Sequence, residues 1–365
     1  MTTLLRAIVT SLLVLVMPHT IPASSRADDR AQSVLTARNA RKVDEAIERG
    51  LAWIASQQKP NGAFPAVQSF EPGATSVCLL AFLACGHVPG YGKYGEILER
   101  GVNHIMSFQK EDGSIVPHVP DLKSSYVHGA SALFLCEVYG MTSDQQASKM
   151  RTAIEKALRY TRFLQTDNKV VPEDRGGWRY YFPEPGFNSD LSATSWQLLF
   201  LRSAKAAGFE VPAEWIDEAF SYVVRCYHES ERTFCYGSHG GDRGRITHGL
   251  SGTGILAYAM AGMHKSPEAR RAGKWILDRG FHSHEGIERF YYAAFYCNQG
   301  MFQLGGAYWK KFYPMLVNTV LPMQEADGMW FTGTQLGGAN GGTLVTALAV
   351  LALSTPNQVL PVLQR

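Results

Sequence analysis

The chain has 365 residues, of which 45% are hydrophobic, so it can bury a large core in one big domain or two ordinary ones. Its 35 basic and 32 acidic side chains give a formal net charge of +3 and are mixed along the sequence. No basic face therefore indicates nucleic acid or anionic lipid, and we expect a small-molecule, polymer or protein partner.

The first 27 residues have the layout of a secretory signal peptide. Arg6 precedes the apolar run 7–16, and small residues follow as far as Ala27. This apolar run is too short to span a bilayer, which takes about 20 residues, so we predict cleavage after Ala27. The mature protein is then secreted or periplasmic, with no transmembrane segment after signal cleavage.

Export permits disulfides among the six cysteines. Cys78 and Cys85 fall in a helical pattern at a spacing of about 10 Å along one face, which is too far for a bridge. Cys226 and Cys235 flank a predicted loop and are candidates for a pair. The alternative is that all six are free buried thiols, because a core of this size does not need disulfides.

A helix that ends in a turn marked by glutamine and glycine recurs along the chain. The clearest copies are GLAWIASQQKPNGAF (50–64), GVNHIMSFQKEDGSI (101–115) and TVLPMQEADGMWF (319–331). A longer copy spans 157–180, and two copies without the glutamine span 219–238 and 272–290. We therefore predict six related units.

A second helix of different composition follows each turn. These helices are ATSVCLLAFLACG, SSYVHGASALFLCEVYG, DLSATSWQLLFLRSAKAAG, THGLSGTGILAYAMAG, RFYYAAFYCNQGMFQLGG and GGTLVTALAVLAL. They are apolar around most of their circumference, which is typical of helices buried on more than one side. The helices before the turns, such as 43–56 and 150–164, carry charge on one face and belong on the outside.

Six outer–inner helix pairs, at a spacing of roughly 40–60 residues, indicate a ring whose inner helices line a central cavity. An open solenoid is the alternative, and it needs polar capping units at its ends. The last inner helix, GGTLVTALAVLAL, is as apolar as the others. We therefore predict that the ring closes on itself.

The turns, in which glutamine is followed by glycine and an aromatic residue, resemble the glutamine–tryptophan repeat of squalene–hopene and oxidosqualene cyclases. The six-pair ring is similar to the α/α toroid that these cyclases share with the β subunits of protein prenyltransferases. The resemblance implies an all-α fold, an α/α toroid (α6/α6 barrel), over residues 39–355. A linker over 28–38 would precede it and a tail over 356–365 would follow.

In the cyclases an acidic run of the type Asp-x-Asp-Asp-Thr begins an inner helix, and its central Asp protonates the substrate. The run DLSAT (190–194) keeps the first acid and the threonine but has Ser192 at the catalytic position. A serine hydroxyl cannot protonate an alkene. The zinc set of the prenyltransferases needs Asp two residues before Cys, and no cysteine here has one. We therefore expect neither a metal nor a cofactor.

Two inner helices begin alike, with HGAS at His128 and HGLS at His248. Because all inner helices of a ring run the same way, their first turns gather at one end, and Asp190 joins them there. We predict these three residues as catalytic, since a helix N-terminus favours a neutral histidine and an ionised aspartate, a pairing suited to proton abstraction. The alternative is that each caps its own helix or contacts a loop carbonyl.

The residues predicted to bind substrate combine aromatic rings, hydroxyls and one arginine. The loop CYGSHGGDRGRITHG (235–249) contributes the arginine, which suits a carboxylate, sulfate or phosphate. The rings suit a polyene or a cation, although core packing explains most rings of this kind. The set is Tyr126, Ser192, Trp196, Arg243, Ser251, Tyr291 and Tyr292.

Three functions remain open from the sequence. The first is an exported squalene-cyclase-like protein that binds or transforms an apolar or terpenoid ligand in the central cavity. The second is a polysaccharide lyase or hydrolase, for which Asp242 and Glu288 are the eligible second carboxyls beside Asp190. The third is a non-catalytic scaffold or binding module. The ligand is accordingly a lipid or a carbohydrate.

Overall fold

A computed structural model describes residues 34–117, 124–167, 169–179, 187–331, 341–357 and 359–364. The predicted signal peptide lies outside these ranges. Within them the chain forms twelve α-helices and one short β-hairpin. No helix of the described residues is both long enough and apolar enough to cross a membrane.

The helices alternate along the chain between an outer and an inner type. The outer helices are α1 (Ala37–Ser56), α3 (Gly95–Ser107), α5 (Asp144–Thr166), α7 (Ala213–Arg225), α9 (Pro267–Arg279) and α11 (Gly306–Val320). The inner helices are α2 (Gly73–Ala84), α4 (Ser124–Val138), α6 (Leu191–Ala206), α8 (His248–Met260), α10 (Phe290–Leu304) and α12 (Gly342–Leu353). The hairpin of β1 (Tyr227–His228) and β2 (Thr233–Phe234) follows α7.

Burial separates the two types as the sequence predicts. Every residue of α2 is buried, because the helix has neighbours on all sides. Helix α1 instead buries a single stripe that includes Val43, Ile47 and Leu51, and it exposes its charged residues to water. An inner layer of largely buried helices thus lies within an outer layer of amphipathic ones.

The inner helices close into a ring. Helix α2 packs on α4, α4 on α6, α6 on α8, α8 on α10, α10 on α12, and α12 returns to α2. The last contact joins the two ends of the chain and excludes an open solenoid. The prediction of an all-α toroid of six outer–inner pairs is therefore confirmed.

Four turns carry the glutamine of the sequence pattern, and all four make the same hydrogen bonds. The side-chain amide nitrogen donates to the carbonyl of the turn glycine and to a carbonyl of another outer helix. The bonds are Gln58 to Gly62 (3.1 Å) and Ile97 (2.9 Å), Gln109 to Gly113 (3.2 Å) and Ala153 (2.8 Å), Gln165 to Gly176 (3.1 Å) and Trp215 (2.9 Å), and Gln324 to Gly328 (2.9 Å) and Ala46 (2.8 Å). The last bond reaches α1, so it closes the outer layer as well.

All six cysteines are free thiols. Cys226 and Cys235 oppose each other at the base of the hairpin, where the Cys235 amide donates to the Cys226 carbonyl (2.9 Å). Their thiols are not joined. Of the alternatives left open by the sequence, the structure has the free thiols, five of them buried and Cys85 half-buried.

Candidate active site

Asp190 is the N-cap of α6, which is one of the two roles that the sequence left open. Its backbone is extended, and its Oδ1 atom accepts the amide hydrogen of Ala193 (2.8 Å). Aspartate is among the best residues at this position because it satisfies an otherwise free amide of the first turn. The side chain is completely buried, and Oδ2 has no hydrogen-bond partner among the described residues.

Burial, as the largest cause, and the charge of Asp242 together raise the pKa of Asp190 to about 6. The Ala193 amide, the Arg179 charge and the Tyr236 hydroxyl act in the opposite direction. A carboxyl with this pKa is present in both protonation states near neutral pH. Asp190 is thus able to donate or to accept a proton, in addition to capping its helix.

An ion pair lies beside this carboxyl. Arg179 Nη1 donates to Asp242 Oδ2 (2.6 Å), and the guanidinium lies over the ring of Tyr236 (5.4 Å). Tyr236 is held in place because its carbonyl accepts the amide of Leu191 (2.8 Å), the first residue of α6. Arg179 is buried, and its charge is balanced by Asp242.

Aromatic side chains cover the other side of the carboxyl. The Tyr126 hydroxyl, on α4, donates to Asp190 Oδ1 (3.4 Å). On α10 the rings of Tyr292 and Tyr296 lie 4.7 Å apart, and Tyr296 meets Trp196 of α6 edge to face at 6.1 Å. Tyr126 and Tyr292 are half-buried residues at the end where the inner helices begin, although the Tyr292 hydroxyl itself is buried.

Ser192 belongs to the same group of residues. Its hydroxyl interacts with Tyr292, whose pKa is raised to about 12, chiefly by burial. The predicted residues Asp190, Tyr126, Ser192 and Trp196 therefore lie around one point of the structure, together with Tyr292. We call this group the Asp190 site.

His128 is not part of the Asp190 site. Its Nδ1 atom accepts the amide of Ile115 (3.1 Å) in the turn before α4, and Nε2 contacts the Thr161 hydroxyl (3.0 Å) of outer helix α5. Burial lowers the pKa of His128 to about 4, so the ring is neutral. Both nitrogens are engaged in holding the turn and the outer helix, and we leave His128 out of the proposed catalytic set.

Three other inner helices make the same contact with threonine in place of histidine. The amides of Phe64, Trp178 and Trp330 each donate at 3.0 Å to a threonine hydroxyl. The acceptors are Thr75 on α2, Thr194 on α6 and Thr346 on α12. The position of His128 in the ring is therefore that of a residue that fixes the preceding turn.

His248 and Arg243 also contact the scaffold. His248 Nε2 lies 3.2 Å from the carbonyl of Gly280, and its ring meets Trp275 of α9 edge to face. Arg243 donates to the carbonyls of Arg225 (2.9 Å) and Tyr227 (3.2 Å) at the end of α7. These contacts leave neither side chain directed at Asp190.

The last two predicted residues have partners of the same kind. Ser251 donates to the Thr247 carbonyl (3.0 Å) within α8 and accepts from the Thr233 hydroxyl (2.7 Å) of the hairpin. Tyr291 is completely buried, and the charge that acts on its hydroxyl is Glu325, in the turn after α11. Adjacent Tyr291 and Tyr292 thus point in two directions, and Tyr292 is the one at Asp190.

Two residues of the site were not predicted from the sequence, namely Arg179 and Tyr236. Both lie in connections that precede inner helices, Arg179 in the turn copy 157–180 and Tyr236 in the loop 235–249, but neither was named there as a site residue. One signal was present for Asp242, which the sequence marked as an eligible second carboxyl. No three His, Cys, Asp or Glu side chains in the described ranges are placed to hold a metal ion.

Comparison with known proteins gives a fold and no family. No protein-family model and no curated protein matches the sequence. Among solved structures, the type II terpene cyclase MstE from Scytonema, in complex with geranylgeranyl dihydroxybenzoate, matches with 14% identity over 89% of this chain and 100% of that chain, at a TM-score of 0.59.

Two glycoside hydrolases match as well. The α-1,6-mannanase GH76A of a Salegentibacter species, in complex with α-1,6-mannotetrose, has 12% identity over 86% of this chain and 99% of that chain, at a TM-score of 0.63. The GH76 α-mannanase of Bacteroides thetaiotaomicron has 12% identity over 86% and 95%, at 0.59. The chain shares the α/α toroid fold with these enzymes. At such identities the likeness extends to the fold alone.

Proposed function

We propose that the protein is a terpenoid-cyclase-like enzyme that binds an apolar, unsaturated ligand at the Asp190 site and protonates it with Asp190. The observation that carries the proposal is a fully buried carboxyl with one unpartnered oxygen and a raised pKa, beside Tyr126 and Tyr292. The ring of Tyr292 in turn packs on Tyr296, which meets Trp196. Such rings stabilise a cation through their faces. The predicted export belongs to this proposal.

The two oxygens of Asp190 have different tasks in this reaction. Oδ1 accepts the Ala193 amide and the Tyr126 hydroxyl, so the acidic proton resides on Oδ2. Oδ2 transfers this proton to one carbon of the ligand's double bond, and the electron pair of that bond forms the new C–H bond. The other carbon is left as a carbocation, which a second double bond of the ligand attacks to close a ring, and loss of a proton from the product cation ends the reaction. The carboxylate that remains is stabilised by the same two donors and by the Arg179 charge.

Replacing Asp190 tests the proposal. Asn caps helices as well as Asp does, so Asp190→Asn keeps the fold and removes the proton. We expect loss of turnover by at least about a hundredfold, since general acid catalysis contributes that much or more. The measurement is mass spectrometry of products after incubation with squalene and shorter polyenes.

Adjacent tyrosines provide the matched control. Tyr292→Phe removes a hydroxyl at the site, whereas Tyr291→Phe removes one that faces away from it. We expect the first variant to bind or convert the ligand less well and the second to behave as the unmodified protein. Equal turnover by Asp190→Asn and the unmodified protein would count against an acid role for Asp190.

A carbohydrate hydrolase is the second candidate, because a second carboxyl acts on Asp190. Glycosidases use one protonated and one ionised carboxyl, and here Asp190 has the raised pKa while Asp242 forms an ion pair with Arg179. The toroid of one structural neighbour binds α-1,6-mannotetrose. Incubation with that oligosaccharide separates the candidates, since Asp242→Asn abolishes hydrolysis if the pair is catalytic. Ligand binding without any turnover would indicate a binding module instead.

A further inference from the structure

Residues 359–364 cross the end of the ring at which the inner helices terminate. The Val362 amide donates to Glu137 Oε2 (3.5 Å) in the last turn of α4, and the Leu363 carbonyl accepts from Gln303 Nε2 (2.9 Å) in the last turn of α10. Among six inner helices α4 is the second and α10 the fifth, so the two stand opposite each other. A segment that bonds to both therefore spans the ring across its axis.

The segment is also packed into the core. Leu360, Val362 and Leu363 are buried and belong to the main hydrophobic cluster, and the turn Pro361–Leu363 packs on α6 as well. The Asp190 site lies at the opposite end, because Asp190, Tyr126 and Tyr292 all sit at the start of their helices. The far end of the ring is thus covered by the chain's own C-terminal residues.

One buried carboxyl holds this segment. Glu137 is almost completely buried, and it has no ion pair among the residues that the structure describes. It faces the Ser203 hydroxyl of α6, which donates to Oε1 (2.5 Å), the Val362 amide, and the thiol of Cys136 next to it on α4. Burial raises the pKa of Glu137 to about 7, against the smaller effects of Ser203 and Val362.

We propose that residues 359–364 are a detachable floor of the toroid and that Glu137 is the latch that holds this floor in place. With the floor docked, residues 359–364 cover the end of the ring at which the inner helices terminate. Neutral Glu137 is compatible with the docked state, whereas an ionised carboxyl without a counter-charge is costly to bury. Detachment gives Glu137 access to water, so the floor detaches more readily as pH rises.

The size of the effect follows from proton linkage. The docked state takes up the proton at a pKa of about 7 and the detached state near the ordinary glutamate value of 4.5. Between pH 6 and pH 8.5 the equilibrium constant for detachment then rises about tenfold. The floor does not depend on the reaction at Asp190, and it can be tested without any ligand.

Hydrogen exchange of the full-length protein, read by mass spectrometry, tests the proposal. The peptide that contains residues 359–364 is followed at pH 6 and pH 8.5, and its rates are corrected for intrinsic exchange. We expect the detachment constant of the unmodified protein to rise about tenfold. Glu137→Gln is neutral at both pH values and should lose this rise.

Two further variants separate the latch from other effects. Gln303→Ala removes the bond to Leu363, so it should increase exchange at both pH values and keep the tenfold ratio. Glu155→Gln, on the exposed face of α5, is the matched control and should equal the unmodified protein. A pH ratio near one in the unmodified protein, or a ratio that persists in Glu137→Gln, overturns the latch.

Thiol labelling of the full-length Gln303→Ala variant tests the floor itself. Cys136 is buried next to Glu137, whereas Cys297 is buried in the middle of α10. Loss of the bond from Gln303 to Leu363 should raise maleimide labelling of Cys136 by at least about tenfold relative to Cys297 and to the unmodified protein, as measured by peptide mapping. Labelling of Cys136 that is unchanged, or that rises equally with Cys297, overturns the floor.

Discussion

At the scale of single residues, two similar sequence motifs occupy different structural positions in the ring. HGAS and HGLS begin alike, yet His128 bonds to the turn before its helix, and Ser251, three residues beyond His248, bonds to the hairpin. The two histidines therefore differ in position along their helices. A motif alone does not supply that offset, because it depends on where each helix begins relative to its turn.

His128 gives a testable pH dependence of stability. The unfolded chain protonates this ring near pH 6.5, whereas the folded protein does so only near a pKa of about 4. The unfolded state thus binds more protons in this window, and the free energy of unfolding decreases as pH falls. Between pH 7 and pH 5 the contribution lost is about 2 kcal/mol.

The substitution His128→Thr isolates this contribution. Threonine accepts the same amide in three other inner helices, so the variant keeps the acceptor and removes the titration. We expect urea denaturation to show a smaller loss of stability between pH 7 and pH 5 than in the unmodified protein. An identical loss in both proteins would mean that other groups determine the acid sensitivity.

The candidate site could be predicted only in part, for a related reason. Asp190, Ser192 and Trp196 are found because they lie on one predicted inner helix. Arg179 and Tyr236 lie in connections, and their place beside Asp190 depends on long-range contacts such as the bond from the Leu191 amide to the Tyr236 carbonyl. Sequence periodicity carries no information on contacts of this kind.

At the scale of elements, composition predicts whether a helix is outer or inner, whereas its first residue is determined by the N-cap. Apolar periodicity places the first outer helix at residue 43, whereas α1 begins at Ala37 because the Thr36 hydroxyl accepts the Asn39 amide (3.3 Å). In the same way α5 begins at Asp144, capped by Ser143, and not at residue 150. The first turns are polar, so hydrophobic pattern alone misses them.

The glutamine turns yield a prediction with an internal control. Gly113 and Gly140 both have positive φ angles, +92° and +86°. A Cβ atom at Gly113 would lie 2.2 Å from the carbonyl oxygen of Lys156, whereas one at Gly140 would meet nothing within 4 Å. Alanine at Gly140 introduces only the strain of a positive φ angle, whereas alanine at Gly113 must also displace α5.

We expect Gly140→Ala to lower the free energy of unfolding by about 1 kcal/mol and Gly113→Ala by more than about 3 kcal/mol. Chemical denaturation of both variants measures the difference. Similar losses would show that the close approach of the turn to the outer helix is not the reason that this turn requires glycine.

At the scale of the whole molecule, the closed ring has one seam, where α11 and α12 meet α1 and α2. The Gln324 side chain crosses this seam to Ala46, and the Trp53 indole donates to Asp327 (3.1 Å). These contacts join residues more than 270 positions apart, because the chain returns to its own start. Ring closure was predictable from the apolar last helix, whereas the side chains that form the seam were not.

The seam should form late in folding, since contacts of long sequence separation require the largest loop closure. Gln324→Ala and Gln109→Ala remove the same pair of amide bonds, at separations of 278 and 44 residues for the longer bond, and Gln324→Ala also removes the bond from Arg49, which crosses the same seam. Each removes a donor from the carbonyl of the turn glycine and one from a helical carbonyl that keeps its intrahelical bond, and should cost about 1–3 kcal/mol at equilibrium. We expect Gln324→Ala to increase mainly the unfolding rate constant. Gln109→Ala should instead lower the folding rate constant by a larger share of its loss in stability. Tryptophan fluorescence after urea jumps in both directions measures the two rates. If the same share of the stability loss appeared in the folding rate of both variants, late closure of the seam would be contradicted.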